Sequence, residues 1–196
     1  MRKKLDEYYN SIASSYNELH SDEQLKKLKI VHELLDSDPE FNVRSDLILL
    51  DIGCGTGLST DKISSNHAGL DPAIKLLEQA NKTRAKSLEQ NIHTLEAVSP
   101  ARHLGYICGI AEALPIKEKV CNIVISITAV HNFNDISKGI QEIQRITKNR
   151  AVLTVLKQTV RFNEIVEIIK KYFLVLNKRE NEFDYFLYLE PLPSKI

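Results

Sequence analysis

Short apolar runs and longer amphipathic segments alternate along this chain. Continuous apolar or β-branched runs of this length predict strands that are buried on both faces of a parallel sheet. The predicted strands lie at 47–50, 67–70, 106–108, 122–128 and 151–156. Apolar residues at helical spacing predict helices at 5–19, 23–35, 58–64, 72–90, 136–147 and 162–172. The segment 91–104 gives no clear pattern.

The order of these elements predicts the architecture. Strands that alternate with helices form right-handed crossovers and a parallel sheet covered on both faces. Apolar runs at 173–176 and 183–189 flank a polar stretch and predict an antiparallel C-terminal hairpin. We therefore expect an α/β protein with a Rossmann-like three-layer αβα sandwich and a mostly parallel seven-stranded sheet. The 196 residues suit one domain, with N-terminal helices in 1–38 and the core in 46–190.

Composition changes this picture little. Lys+Arg and Asp+Glu number 26 each, and a formal net charge of zero disfavours binding to nucleic acid mainly through phosphate neutralisation. Cys54, Cys108 and Cys121 are widely spaced, which indicates buried hydrophobes rather than disulfides or a zinc site. The chain shows no secretory signal and no run of the ~20 apolar residues that a membrane span needs. We expect a soluble, cytoplasmic protein.

The run LILLDIGCGTGLST carries the clearest chemical signal. Gly53, Gly55 and Gly57 follow a predicted buried strand, and glycines there let the backbone adopt positive φ and approach a ligand closely. Ligands of such sheets bind beyond the carboxyl ends of the strands, where the strand order reverses. Asp71 ends the next predicted strand, and its carboxylate can accept two hydrogen bonds from a ribose diol. The pattern predicts a nucleoside ligand.

The glycine spacing then decides among nucleoside ligands. The dinucleotide fingerprint is GxGxxG, whereas this chain has GxGxG, and it lacks the GKS or GKT of a P-loop. Asp51, two residues before the first glycine, suits an amino-bearing or cationic ligand better than a pyrophosphate. S-adenosylmethionine has an α-amino group, a sulfonium and a ribose diol, and it matches each feature. A dinucleotide oxidoreductase is the least favoured alternative.

Four motifs in order resemble the class I S-adenosylmethionine-dependent methyltransferases. DIGCGTG, followed by Leu-Asp-Pro at 70–72, resembles motif I and the acidic position after it. GIAEALP at 109–115 resembles the family's G-D-A-E-x-L-P stretch, and 122–133 resembles the fourth strand and its following loop. YNSIASSY at 9–16 is similar to the F-D-x-x-A-x-x-Y segment of the type 11 branch, which is related to quinone-biosynthesis methyltransferases. The resemblance covers about residues 8–190.

The resemblance implies a set of cofactor contacts. The loop that carries Gly53, Gly55 and Gly57, here called the glycine loop, would lie against the methionine part of S-adenosylmethionine. Asp51 would orient its ammonium and Asp71 would hold its ribose. Ile110 replaces the family's Asp that accepts from the adenine amino group, so that contact would be lost or rerouted, for example to Glu112. Ala111 still offers its N–H to the ring. The predicted cofactor-binding residues are Asp51, Gly53, Cys54, Gly55, Gly57, Asp71, Pro72, Ile110, Ala111, Glu112, Ser126 and Thr128.

The resemblance also implies an acceptor site between an N-terminal helical lid (1–38) and the loop after the fourth strand. The predicted substrate contacts are Tyr9, Tyr16, His131 and Asn132. His131 is predicted as a general base because an imidazole titrates near neutral pH. The alternative roles are a hydrogen-bonded structural histidine for His131 and helix packing for Tyr9. Methylation of exocyclic amines, glutamine amides or pyrimidine carbon is disfavoured, since the motifs for those reactions are absent after the fourth strand.

These features together predict a methyltransferase that acts on a small-molecule acceptor. Basic residues within 82–103 and at 148–150 favour a second reading, methylation of tRNA or protein with help from a partner subunit. A non-catalytic protein that binds S-adenosylmethionine is a third reading, which the departure at Ile110 favours. The stretch 87–104 is longer than usual for this branch, and it either contacts an anionic acceptor or is a solvated insertion. No metal and no membrane partner is expected.

Overall fold

The computed structural model describes residues 2–13, 16–39, 47–60, 66–91 and 103–193. The helices are α1 (Arg2–Ile12), α2 (Tyr16–Asp36), α3 (Ile74–Asn91), α4 (Ile136–Ile146) and α5 (Phe162–Tyr172). The strands are β1 (Ile48–Ile52), β2 (Asn66–Asp71), β3 (His103–Cys108), β4 (Cys121–Ser126), β5 (Thr147–Leu156), β6 (Phe173–Glu180) and β7 (Asp184–Pro191). A single 3₁₀ turn, Val130–Asn132, follows β4 in this part of the chain.

The described strands form one sheet in the order β3-β2-β1-β4-β5-β7-β6. Strands β1 to β5 pair in parallel, and β7 runs antiparallel to both β5 and β6. This arrangement confirms the predicted Rossmann-like sheet with an antiparallel C-terminal hairpin. The chain moves outward from β1 through β2 to β3 and then returns to β4 on the other side of β1. The strand order therefore reverses between β1 and β4, which leaves a crevice at their carboxyl ends.

Helices cover both faces of the sheet because the central strands are apolar on both sides. One face packs against α2, and its buried residues include Leu28, Val31, Leu34, Leu49, Ile123, Ile125, Val152, Phe186 and Tyr188. The other face packs against α4 and α5, and its buried residues include Leu50, Val124, Ile136, Ile140, Ile143, Leu153, Ile165 and Ile169. Residues 123–125 of β4 alternate between these two cores, as the two-residue period of a strand requires.

Helix α4 shows how local sequence fixes an element. Ile136, Ile140 and Ile143 recur at helical spacing and are fully buried against the sheet. Asp135 caps the helix, because its carboxylate accepts a hydrogen bond from the backbone N–H of Lys138 at 2.9 Å. The helix therefore begins where the sequence predicts, directly after the loop that follows β4.

Several predicted boundaries differ from the observed ones. The single helix predicted over 5–19 is wrong, since α1 ends at Ile12 and α2 begins at Tyr16. Helix α3 begins two residues after Pro72, because the carbonyl of Ala73 accepts the first helical hydrogen bonds, from Leu76 and Leu77, while the Asp71 carboxylate holds the N–H of Ala73. Strand β5 and the hairpin strands extend through polar residues, since backbone pairing does not require apolar side chains.

The structure describes only part of two other predicted segments. Of the helix predicted over 58–64, residues 58–60 form turns leading into a helical residue, and the rest lies outside the described residues. The stretch 92–102, within the predicted insertion, also lies outside them.

A partly buried ion pair fixes the C-terminal end of α2 to the sheet. Asp38 Oδ2 accepts hydrogen bonds from Arg150 Nε and from Tyr188 Oη, both at 2.7 Å. Arg150 pairs in register with Ile123, near the amino end of β4 and away from the crevice. Burial and the Asp38 carboxylate raise the pKa of Tyr188, so the phenol stays protonated and donates. Helix α2 is thereby attached to β5 and β7 at the end opposite the carboxyl ends of the parallel strands.

We expect Asp38→Ala to lower the free energy of unfolding by about 1.5–3 kcal/mol, because it removes hydrogen bonds to a charged group. Urea denaturation measures this change. Glu180→Ala is the matched control, since Glu180 forms an exposed ion pair with Lys157 at 3.0 Å and such pairs contribute about 0–1 kcal/mol. Equal losses in the two variants would contradict a structural role for the Asp38 cluster.

Candidate functional site

A cavity of about 310 Å³ opens at the carboxyl ends of β1 and β4. Its volume lies within the range of about 300–1,000 Å³ that is usual for small-molecule sites. The structure brings together many of the residues that the sequence predicts. Those that line the cavity are Tyr9, Gly53, Gly55, Asp71, Pro72, Ile110, Ala111, Glu112, Thr128, His131 and Asn132.

Other predicted residues lie beneath the cavity wall. Asp51 and Cys54 are buried, and neither they nor Gly57 line the cavity. Ser126 is fully buried, and its hydroxyl donates a hydrogen bond to the carbonyl of Ile52 at 2.8 Å. These residues support the glycine loop from below. Tyr16 begins α2, but its side chain lies outside the described residues.

Two separate reasons explain why the loop after β1 has glycine at positions 53 and 57. Gly53 and Gly57 have φ values of 77° and 74°, which side chains rarely adopt. A Cβ on Gly53 would also lie only 2.4 Å from the Cβ of Ala129 in the loop after β4. A Cβ on Gly57 would lie 2.1 Å from the Tyr106 hydroxyl. The two loops at the crevice therefore approach each other more closely than any other residue type would allow.

The Asp71 carboxylate connects two walls of the cavity. Its Oδ2 accepts a hydrogen bond from the N–H of Gly55 at 2.9 Å, and its Oδ1 accepts one from the N–H of Ala73 at 2.8 Å. It thereby holds the glycine loop against the start of α3. Asp71 also lines the cavity, and an ionised carboxylate is a hydrogen-bond acceptor.

Asp51 is buried directly beneath the glycine loop. Its Oδ2 accepts hydrogen bonds from the hydroxyls of Ser59 and Thr60 at 2.8 and 2.7 Å. Its Oδ1 is buried and has no hydrogen-bond partner among the described residues. Burial raises the pKa of Asp51 to about 6, against the opposing effect of the two hydroxyls. A cation above the loop would compensate this isolated carboxylate.

Segment 110–112 forms the opposite wall. Glu112 Oε1 accepts hydrogen bonds from the backbone N–H groups of Asn134 and Asp135 at 2.6 and 3.2 Å. Glu112 therefore attaches this segment to the start of α4. Ile110, an apolar residue, lines the cavity, so this wall offers packing contact to a flat ring.

The loop after β4 supplies further polar groups to the cavity. Thr128 has a φ of 57° at the turn that leads into the 3₁₀ segment carrying His131 and Asn132. Burial lowers the pKa of His131, so its imidazole is neutral at pH 7. Its Nδ1 is buried and has no hydrogen-bond partner in the described part of the chain. Asn132 Nδ2 donates a long hydrogen bond, 3.4 Å, to the hydroxyl of Tyr9 on α1.

A buried charged cluster that the sequence analysis missed lies beside this loop. Lys27 of α2 is fully buried, and its Nζ forms an ion pair with Asp184 Oδ2 at 2.8 Å and another with Glu23. The same ammonium donates a hydrogen bond to the Thr128 hydroxyl at 2.7 Å. That hydroxyl donates in turn to Asp184 Oδ1 at 3.2 Å. Helix α2, strand β7 and the loop after β4 therefore meet at one group of charges.

Sequence periodicity does contain a signal for this cluster. Lys27 occupies a position on the same helical stripe as Val31 and Leu34, where the other residues are buried and apolar. Asp184 alternates with Phe186 and Tyr188 on the face of β7 that packs toward α2. Two opposite charges at apolar positions of facing elements indicate a pair. A single charged residue in either segment would be interpreted as an ordinary solvent-exposed residue.

Comparison with known proteins identifies the family of this chain. A profile of the Methyltransf_11 family, described as a methyltransferase domain, matches residues 50–155, which is more than half of the chain. The chain belongs to this family. The family's cofactor is S-adenosylmethionine. The resemblance predicted from the motifs is thereby confirmed.

Individual relatives are more distant. An uncharacterized protein of Methanocaldococcus jannaschii, MJ1252, is 28% identical over 152 residues, which are 76% of this chain and 49% of that protein. The chain thus spans about half the length of this curated relative. Magnesium protoporphyrin IX methyltransferase from Synechocystis, solved with bound cofactor, has a TM-score of 0.73 at 14% identity and 97% coverage of both chains. A structure of the Trm112 methyltransferase activator complex of Haloferax volcanii gives 0.68 at 14% identity, covering 94% of this chain and 98% of that one.

The residues present fit S-adenosylmethionine. The unpartnered Oδ1 of Asp51 suits the ammonium, and the carboxylate of Asp71, which lines the cavity, suits the hydroxyls of the ribose diol. Gly53 lines the cavity and carries no side chain, so a ligand there can meet the backbone directly. Among the described residues, no group of three or more His, Cys, Asp or Glu side chains could hold a metal ion. None of the described helices has the length and apolar character needed to cross a membrane.

We expect Gly53→Ala to weaken S-adenosylmethionine binding by at least about tenfold, or about 1.4 kcal/mol, because the new Cβ would push the glycine loop away from Ala129. Isothermal calorimetry measures the affinity. Gly105→Ala is the matched control, because Gly105 also has a positive φ, 115°, but its Cβ would meet no atom within 4 Å. A control that loses as much affinity would mean that backbone strain in general, and not the loop contact, causes the effect.

We expect the affinity for S-adenosylmethionine to fall as the pH drops below about 6. The ammonium of the ligand stays protonated in this range and favours the ionised form of Asp51. Binding therefore lowers the pKa of Asp51, and protonation of Asp51 at lower pH competes with binding. Calorimetry between pH 5 and 8 tests this, with Asp51→Asn as the variant that should bind more weakly at pH 8 and lose the pH dependence. An unchanged profile in Asp51→Asn would exclude Asp51 as the source.

Proposed function

We propose that this protein transfers the sulfonium methyl of S-adenosylmethionine to a small-molecule acceptor. The observation that supports this proposal is one continuous cavity that joins Asp71 and the glycine loop to the loop carrying His131. A cofactor held at the first group would present its methyl toward the second. A volume of about 310 Å³ suits small molecules, and Arg150, one of the basic residues that favoured tRNA, is paired with Asp38.

Each cofactor contact has a structural basis in this proposal. Asp71 accepts hydrogen bonds from the ribose while it holds the glycine loop through Gly55. Asp51 stabilises the ammonium electrostatically from beneath the loop. Ile110 packs on the adenine, and the N–H of Ala111 meets the ring edge. These roles suit the proposed occupant, because the sulfonium compound brings positive charge to a site whose lining includes Asp71 and Glu112.

The chain's own residues then have three tasks in methyl transfer. When bound, S-adenosylmethionine supplies an electrophilic methyl on a good leaving group. The protein must hold the acceptor in line with that methyl and exclude water, and orientation alone can supply ~7–11 kcal/mol of the barrier. Tyr9 and Asn132, joined across the cavity, close one side of the acceptor space. Neutral His131 is suited to take a proton from an acceptor hydroxyl or amine.

The N-terminal helices act as a lid in this proposal. Within a single domain of residues 1–196, the segment 1–38 covers a core at 46–190. Two contacts support a closed lid, the hydrogen bond between Tyr9 and Asn132 and the bond from Lys27 to Thr128. Both contacts end on the loop after β4, so lid closure and acceptor binding involve the same residues.

The test is transfer of a labelled methyl group. The purified protein is incubated with methyl-labelled S-adenosylmethionine and cell extract, and label is measured in the RNA, protein and small-molecule fractions. We expect label in the small-molecule fraction, and Asp71→Ala should reduce it at least about tenfold through weaker cofactor binding. Asp135→Ala is the matched control, since Asp135 also accepts a backbone hydrogen bond beside the start of a helix, α4, but does not line the cavity.

The other outcomes discriminate the alternatives. Label in RNA or protein would overturn the small-molecule acceptor and support a macromolecular one. Calorimetric binding of the cofactor without label in any fraction would support a non-catalytic binding protein. Absence of both binding and transfer would overturn the proposal as a whole.

A further inference from the structure

Thr128, near the start of the loop after β4, has an unusual backbone conformation. Its φ of 57° lies in the left-handed region, where a β-branched residue is an outlier because its side chain crowds the backbone. Lys119 is the one other non-glycine residue with a positive φ in the described part of the chain, and it does not line the cavity. Residues held in this region persist only where surrounding contacts hold them, and they concentrate at functional sites. The contacts of Thr128 should therefore explain its conformation.

Three buried side chains, each from a different element, hold Thr128. The Thr128 N–H donates a hydrogen bond to the hydroxyl of Thr154 in β5 at 2.6 Å. The Thr128 hydroxyl accepts a hydrogen bond from Lys27 Nζ of α2 at 2.7 Å and donates one to Asp184 Oδ1 of β7 at 3.2 Å. Lys27, Thr154 and Asp184 are fully buried. Both the backbone and the side chain of Thr128 are thereby fixed.

The ion pair between Lys27 and Asp184 keeps both partners of this hydroxyl in place. Lys27 Nζ lies 2.8 Å from Asp184 Oδ2, so the ammonium, the carboxylate and the Thr128 hydroxyl form a closed group. An ammonium has three N–H donors, and Lys27 faces three acceptors, on Glu23, Asp184 and Thr128. Lys27 lines the cavity, but its donors are already used within the protein, which disfavours a role in binding an anionic acceptor.

The conformation of Thr128 sets the path of the chain that follows it. Ala129, the next residue, approaches the glycine loop at Gly53. The 3₁₀ turn begins one residue later and is closed by a hydrogen bond from the Asn132 N–H to the Ala129 carbonyl at 2.9 Å. This turn carries His131 and Asn132, which both line the cavity. A change of φ at Thr128 would therefore move both side chains relative to the glycine loop.

We propose that the buried pair of Lys27 and Asp184 positions the loop after β4 by holding Thr128 in its left-handed conformation. Both are positioning residues, because they act on His131 and Asn132 only through Thr128. Since Lys27 belongs to α2, the N-terminal helices and this loop are positioned together. Only the consequence for methyl transfer rests on the proposed function, and the conformation of the loop does not.

The test measures amide hydrogen exchange by NMR in the full chain, without cofactor or acceptor. The main variant combines Lys27→Met with Asp184→Leu, which removes both charges at once and leaves neither partner buried without the other. We expect the Asn132 N–H to exchange at least about tenfold faster, because Thr128 loses its hydrogen bonds to charged groups. The Lys119 N–H, which is hydrogen-bonded outside the cavity, should keep its wild-type rate.

A third substitution separates positioning from general stability. Glycine adopts a positive φ without strain, so Thr128→Gly added to the double variant should slow exchange of the Asn132 N–H again, by about fivefold or more. An ion pair that only stabilises the fold would give no such recovery. Exchange as fast in the triple variant as in the double variant would overturn the proposal.

Asp38→Ala is the control variant, because it breaks the other ion pair between the α2 region and the sheet, at the end far from the cavity. The ratio of the Asn132 rate to the Lys119 rate should stay at its wild-type value. An unchanged ratio in the double variant would overturn the proposal.

If the double variant does not fold, two single variants decide. Thr128→Val keeps the β-branched shape but removes the hydroxyl, so exchange of the Asn132 N–H should accelerate. Thr128→Ser keeps the hydroxyl and should exchange more slowly than Thr128→Val. Equal rates in these two variants would overturn the proposal.

Methyl transfer gives the readout for the reaction. The double variant should transfer less label to the small-molecule fraction than the wild type, and the triple variant should recover part of this loss. Equal transfer in the double variant and the wild type would overturn the positioning role in the reaction. Absence of transfer by the wild type, with the expected exchange rates present, would instead overturn the proposed function and leave the positioning of the loop supported.

Discussion

The hydrogen bonds of the Asp71 carboxylate are the constraint on which the site depends. One oxygen holds the glycine loop through Gly55, and the other accepts a hydrogen bond from Ala73, the residue before α3. Without this bridge, the loop after β1 and the start of α3 would be two independent segments at the edge of the crevice. With it, the crevice between β1 and β4 has a fixed wall, and a ligand that enters the crevice meets backbone whose position is already set. Binding then costs less ordering entropy than a flexible loop would require.

The second determinant of the site is the buried ion pair between Lys27 and Asp184, which lies in an interior where apolar side chains are usual. Breaking a buried ion pair is costly, although such a pair contributes little net stability compared with apolar packing. Lys27 and Asp184 replace apolar residues at positions where Leu or Ile would pack against the sheet. Retaining charges there is consistent with a role in orienting the neighbouring loop, since stability alone would favour apolar side chains.

Local pattern was sufficient for most of the fold because buried strands and amphipathic helices have distinct periods. The bounds of α5 follow from the sequence, and so does the start of α4 at Ile136, since apolar spacing and the Asp135 cap coincide. The break before Tyr16 did not follow, because apolar residues continue across it at helical spacing. In the site, the motifs predicted Gly53 and Asp71, both of which line the cavity, whereas Lys27 was missed because its burial depends on Asp184, which is distant in sequence.

The close approach of Gly53 and Ala129 has a consequence for variation in this site. The two positions belong to different loops, yet the space between them admits one methyl group in total. Gly53 also has a positive φ, which side chains rarely adopt, so related chains could not simply exchange the glycine and the alanine, and both positions should stay small. Variants designed to accept other ligands should therefore carry substitutions in the 3₁₀ turn, which begins one residue after Ala129, and not at Gly53 or Ala129.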